Sequence, residues 1–344
     1  MPLTSDITIN VAKFDPASNS EQSKKLNEQI ESKFNATPAW YEVGAAKYRE
    51  MRLKNETALP GPVLLPQALD TAIPSREKGR DIPCRLMYPQ ARKTDEERRG
   101  VKGVIMHIHG GGWVLGDEKS HDGLLQMYAD FGDCVTISVG YRLAPEDPYP
   151  KGPEDCVDAA EYLVKNAESV YGGPLKFIGG ESAGAYLSVI ASFHLLKTHP
   201  EFSLSGGLLL HFGCYDVSML PSSKHFKRNL ILNGEVITHF VNAYLPNHTP
   251  DQCKIGAISP YYEDFTPFRG KLPSALFTIG TEDPLIDDTI TMSVKWMMFG
   301  GEAIVKVFPG GCHGFIGFPP SALKEAGEAL DDTKTFIQER VGRK

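Results

Sequence analysis

Ser182 is the residue whose surroundings most clearly suggest chemistry. It stands in the sequence Gly-Glu-Ser-Ala-Gly at residues 180–184, after a short apolar run predicted to be a strand and before a stretch with helical spacing. A serine hydroxyl becomes an effective nucleophile when a tight strand-to-helix turn exposes it and a nearby base takes its proton. The two flanking glycines allow the strained backbone of such a turn. The pattern predicts a nucleophilic serine at a helix N-terminus.

A glycine-rich loop predicts a second part of the same site. Residues 109–113 read His-Gly-Gly-Gly-Trp and directly follow a predicted strand. Consecutive glycines contribute little to core packing, but they let backbone N–H groups turn toward a developing negative charge on oxygen. A flexible turn is the alternative for this motif taken alone. Beside the serine turn, the loop is better interpreted as the complementary half of one site.

Asp283 and His313 are the predicted acid and base. Each follows a predicted strand, so both are expected at the same edge of the sheet as Ser182. Glu282 and Asp287 are neighbouring carboxylates that compete with Asp283 for the acidic role. The chain order serine, aspartate, histidine is one of the known orders of a catalytic triad. Four loops therefore converge on nucleophilic acyl transfer.

The elements that must hold these residues alternate between strands and helices. Strands are predicted at residues 82–88, 101–108, 135–141, 175–178, 208–212, 275–279 and 304–308, and helices at 22–34, 39–54, 154–167, 183–197, 234–245, 288–299 and 320–340. Alternation of this kind, with nearly continuous apolar strands, indicates an α/β fold with a mostly parallel sheet covered by helices on both faces.

Two segments depart from the alternation. Residues 1–80 are predicted to be an N-terminal helical arm that contributes to a cap, and residues 81–344 to be the catalytic domain. An insertion at about residues 215–268 is expected to lie over the carboxyl edge of the sheet, where such folds bind ligands. Both segments carry aromatic residues that are expected to form an acyl pocket, with packing of the rings on one another as the alternative: Trp40, Tyr41, Tyr48, Phe226, Phe240 and Tyr244.

Composition limits the partners. A net charge of −7 and a pI near 5.8 argue against nucleic acid or an anionic membrane surface. No apolar run approaches the roughly 18 residues of a spanning helix, and the N-terminus lacks the features of a signal peptide. The six cysteines form no metal-binding or disulfide pattern, so we expect reduced thiols in a cytoplasmic protein without a metal site. A homodimer is compatible with the sequence.

Together these motifs resemble the hormone-sensitive-lipase-like branch of α/β-hydrolases, which includes arylacetamide-deacetylase-like carboxylesterases. The resemblance runs from residue 82 to the C-terminus. One departure is Glu181, where many relatives carry aspartate, and this change keeps the charge. The matching residues are 109–113, Tyr-Arg-Leu-Ala-Pro-Glu at 141–146, Tyr-Pro at 149–150, 180–184, Asp-Pro-Leu at 283–285 and His-Gly-Phe at 313–315.

The resemblance implies the triad already named and adds further roles. It assigns the oxyanion donors to the backbone N–H groups of Gly111, Gly112 and Ala183, and a supporting loop to His109 and Gly110. It also implies an acyl-enzyme intermediate, small-molecule ester substrates and no metal or organic cofactor. Esters of short to medium acyl chains are expected, because apolar pockets discriminate weakly between neighbouring chain lengths.

Several other interpretations stay open. An amidase or formamidase can use the same machinery, as can a biosynthetic tailoring hydrolase or dehydratase. A small-molecule receptor on the same fold is a rival of another class, although such a receptor is expected to lack a triad residue. His107 is interpreted as a hydrogen-bonded structural histidine. Cys312 is not interpreted as the nucleophile, because adjacent loop residues such as Cys312 and His313 usually point apart.

Overall fold

A central β-sheet organises the molecule. The computed structural model describes residue 5 and residues 7–343, and within them one eight-stranded sheet is present. The strands are β1 Leu69–Pro74, β2 Asp81–Met87, β3 Val104–Ile108, β4 Val135–Val139, β5 Leu175–Glu181, β6 Gly207–His211, β7 Ala275–Glu282 and β8 Ala303–Cys312.

The strand order is β1-β2-β4-β3-β5-β6-β7-β8. Strands β3 to β8 pair in parallel, while β2 runs antiparallel to both of its neighbours. Strands β3, β4, β5 and β6 are buried along their whole length, which explains their largely apolar sequences. The predicted mostly parallel α/β sheet is confirmed.

Helices cover both faces of the sheet. They are α1 Glu21–Ala36, α2 Trp40–Val43, α3 Ala45–Leu53, α4 Asp95–Arg98, α5 Asp122–Gly132, α6 Lys151–Tyr171, α7 Ala183–Thr198, α8 Pro221–His225, α9 Gly234–Tyr244, α10 Ile286–Met298 and α11 Lys324–Arg340. Apolar side chains of α6, α7 and α10 belong to one large core. Side chains of α5 and α11 form a second core on the opposite face.

Several elements differ from the sequence-based predictions, and the short helices α4 and α8 are among those not predicted. Strand β1 was not predicted, because it is an edge strand in which only Ile73 is buried. Helix α5 was also missed, although its buried residues, such as Leu124 and Tyr128, follow helical spacing. The single helix predicted over residues 39–54 is interrupted at Gly44, whose φ of 87° is a left-handed conformation that glycine tolerates.

The insertion after β6 is tied to the body of the protein at its first loop. The backbone N–H groups of Tyr215 and Asp216 donate to Oδ1 of Asp288, at 2.6 and 2.8 Å. Asp288 lies at the start of α10 and is 1% exposed. Burial raises the pKa of its carboxyl to about 8, although the two N–H donors oppose this.

Candidate active site

Ser182 occupies the sharp turn between β5 and α7. Its φ of 56° and ψ of −118° lie in a region that residues with a side chain rarely adopt. A Cβ atom on Gly180 or Gly184 would lie 2.0 or 1.8 Å from the carbonyl oxygen of Ile108, so both positions require glycine. The end of the neighbouring strand β3 therefore packs directly against this turn, at the carboxyl edge of the sheet.

Ser182, His313 and Asp283 form a continuous hydrogen-bonded chain. The Ser182 hydroxyl lies 3.0 Å from Nε2 of His313, and Nδ1 of His313 lies 2.9 Å from Oδ2 of Asp283. The other carboxylate oxygen of Asp283 accepts the N–H of Leu285 at 2.9 Å. With Asp283 at Nδ1, the imidazole presents Nε2 to the serine hydroxyl in the tautomer that accepts a proton.

The two competing carboxylates are engaged elsewhere. Glu282 contacts Arg228 at 3.0 Å and Asn19 at 3.3 Å. Asp287 accepts the backbone N–H of Ser222 at 2.9 Å. The structure thus brings Asp283, and neither neighbour, to the histidine.

The glycine loop lies against the serine turn, since a Cβ on Gly110 would lie 3.4 Å from Cβ of Ser182. Gly111 and Gly112 have φ values of 115° and 60°, and a Cβ on Gly111 would lie 2.0 Å from the carbonyl oxygen of Leu115. Within the described chain, no backbone or side-chain acceptor takes the N–H of either glycine. Ala183 is the first residue of α7, where backbone N–H groups have no intrahelical acceptor. These three amides border the cavity that contains Ser182.

The predicted supporting residue His109 fixes the start of this loop. Its Nδ1–H donates to the carbonyl oxygen of Gly110 at 2.8 Å, and its ring stacks on Tyr141 with centroids 4.3 Å apart. The Tyr141 hydroxyl in turn donates to the His109 carbonyl at 3.0 Å. Burial lowers the pKa of His109 to about 4, so the ring stays neutral near pH 7 and has a structural role in holding the loop.

A polar network under the serine was only partly foreseen. His107 is hydrogen-bonded to Ser138 at 3.0 Å and to both carboxylate oxygens of Glu181 at 3.0 and 3.1 Å, which confirms its structural interpretation. Burial would raise the pKa of Glu181, but His107 holds it below the usual range. His211 was missed, although its carbonyl accepts the Ser182 N–H at 2.9 Å.

The thiol of Cys312 is inert. It is fully buried, and burial raises its pKa to about 12. A neutral thiol is a weak nucleophile, so its position beside His313 does not make it reactive.

A cavity of about 900 Å³ opens above Ser182. Its walls come from the N-terminal arm, the glycine loop and the insertion. The arm and the insertion meet through rings: Trp40 stacks on Phe240 at 5.0 Å, and Tyr41 stacks on His239 at 3.6 Å. We call this part, made of α2, α3 and α9, the cap. The aromatic residues therefore both line the cavity and pack on one another.

The six predicted pocket aromatics do not all behave alike. Trp40, Tyr41, Tyr48 and Phe240 line the cavity, whereas Tyr244 is buried against Trp113 and Phe226 packs in the second core. Phe240 also lies directly over the glycine loop, because a Cβ on Gly112 would lie 2.4 Å from its ring. Gly112 is thus required by both its conformation and the cap above it.

The described residues contain neither a candidate membrane span nor a candidate metal site. No helix there is long and apolar enough to cross a membrane. No group of three or more histidine, cysteine, aspartate or glutamate side chains in that part of the chain could hold a metal ion.

The chain belongs to the alpha/beta hydrolase fold family, whose sequence model matches residues 105–317, more than half of the chain. This confirms the resemblance drawn from the motifs. The matched span includes all three residues of the Ser182–Asp283–His313 chain and the whole glycine loop.

Solved structures of esterases share the fold. A hyperthermophilic esterase from the archaeon Pyrobaculum calidifontis is 24% identical, with a TM-score of 0.76 over 93% of this chain and 98% of that one. The thermostable carboxylesterase EstE1, cloned from a metagenomic library, is 26% identical, with a TM-score of 0.72 over 87% of this chain and 98% of that one. An ester hydrolase from the Lake Arreo metagenome is 23% identical, with a TM-score of 0.74 over 93% and 97%.

Proposed function

We propose that this protein is a serine hydrolase that cleaves carboxylic esters of short to medium acyl chains. The observation that carries the proposal is the hydrogen-bonded chain from Ser182 through His313 to Asp283, beside amides that have no acceptor in the described chain. The similarity to a carboxylesterase at 26% identity supports the choice of ester. A receptor that only binds a ligand would not need Ser182, His313 and Asp283 joined in one hydrogen-bonded chain.

In the first half of the reaction, His313 Nε2 takes the proton of the Ser182 hydroxyl as Oγ attacks the ester carbonyl carbon. The resulting imidazolium donates through Nδ1 to the Asp283 carboxylate, which stabilises the charge. The imidazolium then gives its proton to the alcohol oxygen, the bond from the carbonyl carbon to that oxygen breaks, and the acyl group stays on Ser182.

In the second half, a water molecule takes the place of the alcohol. His313 removes its proton, the hydroxide oxygen attacks the acyl carbon, and Ser182 regains a proton as the carboxylic acid leaves. In both halves the carbonyl oxygen becomes negatively charged. The N–H groups of Gly111, Gly112 and Ala183 would donate to it, with His109 and Gly110 holding the loop in place.

The division of the chain follows from this mechanism. Residues 81–344 supply the reacting groups. Within residues 1–80, α2 and α3 supply cap surface together with α9 of the insertion at about 215–268, whereas β1 belongs to the sheet. The cap residues that line the cavity are mainly apolar, which suits an acyl chain.

The proposal also covers location and assembly. All six cysteines are free and buried, which suits a reducing compartment such as the cytoplasm. The reacting groups all come from one chain, so the mechanism does not require a homodimer. Light scattering after size-exclusion chromatography measures the assembly state.

The test combines a probe with a substrate panel. A fluorophosphonate should label the purified protein on the peptide that contains Ser182, located by mass spectrometry. A graded series of p-nitrophenyl esters and p-nitroanilides should give turnover of short and medium esters and much slower turnover of the anilides. Labelling at a different serine would contradict the nucleophile, and faster hydrolysis of anilides would make the protein an amidase.

A further inference from the structure

Two arginines of α3 line the cavity, and they differ in their partners. Arg49 makes two hydrogen bonds to the Glu146 carboxylate at 3.0 Å and two more to the carbonyl oxygens of Val114 and Ala144. Arg52 makes no side-chain hydrogen bond within the described chain, and no carboxylate oxygen there lies within 4.0 Å of it. The cavity therefore contains a cationic side chain that has no partner among the described residues.

Arg52 is not simply a solvated surface charge. The side chain is half-buried, and burial lowers the pKa of its guanidinium. Asp117 favours the charged form only from beyond ion-pair distance. An arginine keeps its proton even so, and a charge withdrawn from water without a partner costs free energy. Lys47 and Lys54 of the same segment lie exposed, as ordinary surface cations do.

A second polar group faces the same space. His121 lines the cavity, and its ring nitrogens make no hydrogen bond within the described residues. Burial lowers the pKa of His121, so its ring is neutral near pH 7 and offers one N–H donor. The Glu181 carboxylate opposes this shift, whereas His107 and the Arg52 guanidinium add to it. A guanidinium and an imidazole N–H together suit an anion, most simply a carboxylate.

We propose that Arg52, assisted by His121, binds a carboxylate carried by the substrate, so that the preferred substrates are esters with a second, ionised acid group. This inference rests on the proposed function, since Ser182 and Arg52 share one cavity. Both monoesters of dicarboxylic acids and esters of hydroxy acids carry the required chemistry. The apolar cap then holds the carbon chain between the two polar ends.

The kinetic experiment uses substrate pairs of similar length whose end group is a carboxylate in one member and an alkyl group in the other. The acyl-side pair is mono-p-nitrophenyl glutarate and p-nitrophenyl valerate, and the alcohol-side pair is the acetate ester of γ-hydroxybutyrate and pentyl acetate. In at least one pair, the wild type should have the higher kcat/KM for the carboxylate ester. Arg52→Gln should lower the carboxylate-to-neutral ratio by about ten- to a hundredfold, as expected for a lost charge-assisted hydrogen bond.

Two further variants sharpen this result. Arg52→Lys keeps the charge but loses the planar fork, so the ratio should fall by less than in Arg52→Gln. Lys47→Gln removes the same charge from the same helix outside the cavity and should leave the ratio unchanged. A wild-type ratio at or below one in both pairs, or a ratio that survives Arg52→Gln, would overturn the carboxylate site.

A binding measurement separates this inference from the proposed function. Monomethyl glutarate titrated calorimetrically into the Ser182→Ala protein should bind, and the Ser182→Ala/Arg52→Gln protein should lose that binding. If the wild type neither reacts with the fluorophosphonate nor hydrolyses neutral esters, the proposed function fails, whereas Arg52-dependent binding would still support the carboxylate site. If neutral esters are hydrolysed but monomethyl glutarate does not bind, the carboxylate site alone is wrong.

Discussion

The two sides of the cavity are built by different means. At the carboxyl edge of the sheet, each reacting group follows a strand end and is held by hydrogen bonds, such as the 2.9 Å bond between His313 and Asp283. In the cap, rings from segments about two hundred residues apart hold each other, as Trp40 and Phe240 do. Hydrogen bonds fix direction, while stacked rings fix mainly separation and exclude water.

This difference predicts that mutations can change catalysis and substrate choice separately in this molecule. A change at the sheet edge should alter turnover of every ester by a similar factor, because all esters use the same reacting atoms. A change in the cap should alter one ester relative to another, because we expect the cap to contact the parts in which esters differ.

The largest effect is expected at Ser182. Ser182→Ala should lower kcat by about 10⁴ to 10⁶ for every ester in the series and abolish fluorophosphonate labelling. Ser169→Ala, at an exposed position of α6, is the matched control and should change neither. If Ser182→Ala lost labelling but kept turnover, the probe would react at a residue that is not the catalytic nucleophile. The assignment of the reacting groups to the sheet edge would then be wrong.

Asp283→Asn should have the next largest effect. The amide cannot hold the imidazolium or its tautomer, so kcat should fall by roughly 10⁴ near neutral pH while circular dichroism stays unchanged. Glu282→Gln and Asp287→Asn should be much milder, since their carboxylates contact Arg228 and Ser222 instead. If either neighbour proves more damaging, the wrong carboxylate has been placed in the triad.

A smaller and selective effect is expected in the cap. Phe240→Ala or Trp40→Ala should shift the chain-length profile of kcat/KM, with changes of about 1–3 kcal/mol per methylene between neighbouring esters. Fluorophosphonate labelling of Ser182 should persist in both variants. A lowered melting temperature with an unchanged profile would mean that these rings serve packing alone.

The smallest effect is a pH dependence of stability at the joint between the two regions. The pKa of Asp288 is raised from 3.8 to about 8, so the folded state holds this proton more tightly than the unfolded state. Its contribution to stability is therefore complete below about pH 4 and is lost as the pH rises toward 8. Thermal melts should show Asp288→Asn gaining a few degrees over wild type across that rise. A constant difference would contradict the buried proton.

The sequence was sufficient for the sheet edge because its signals are local. The turn at Ser182, the glycines of residues 109–113 and the strand before Asp283 each lie within a few residues, and the fold family brings them together. The sequence indicated which two segments carry the aromatic residues of the cap, but not which rings contact each other. The contact of Trp40 with Phe240 depends on tertiary packing. Arg52 shows the same limit, since a missing partner is visible only in three dimensions.

The backbone at Ser182 has a consequence for how such a protein changes over generations. A side chain at a φ of 56° costs of order 1–3 kcal/mol, and a glycine there would avoid most of it. Thermostability alone would therefore favour loss of the nucleophile. Selection for turnover has to act against that drift, which makes the folded protein less robust than its sheet and cores would otherwise allow.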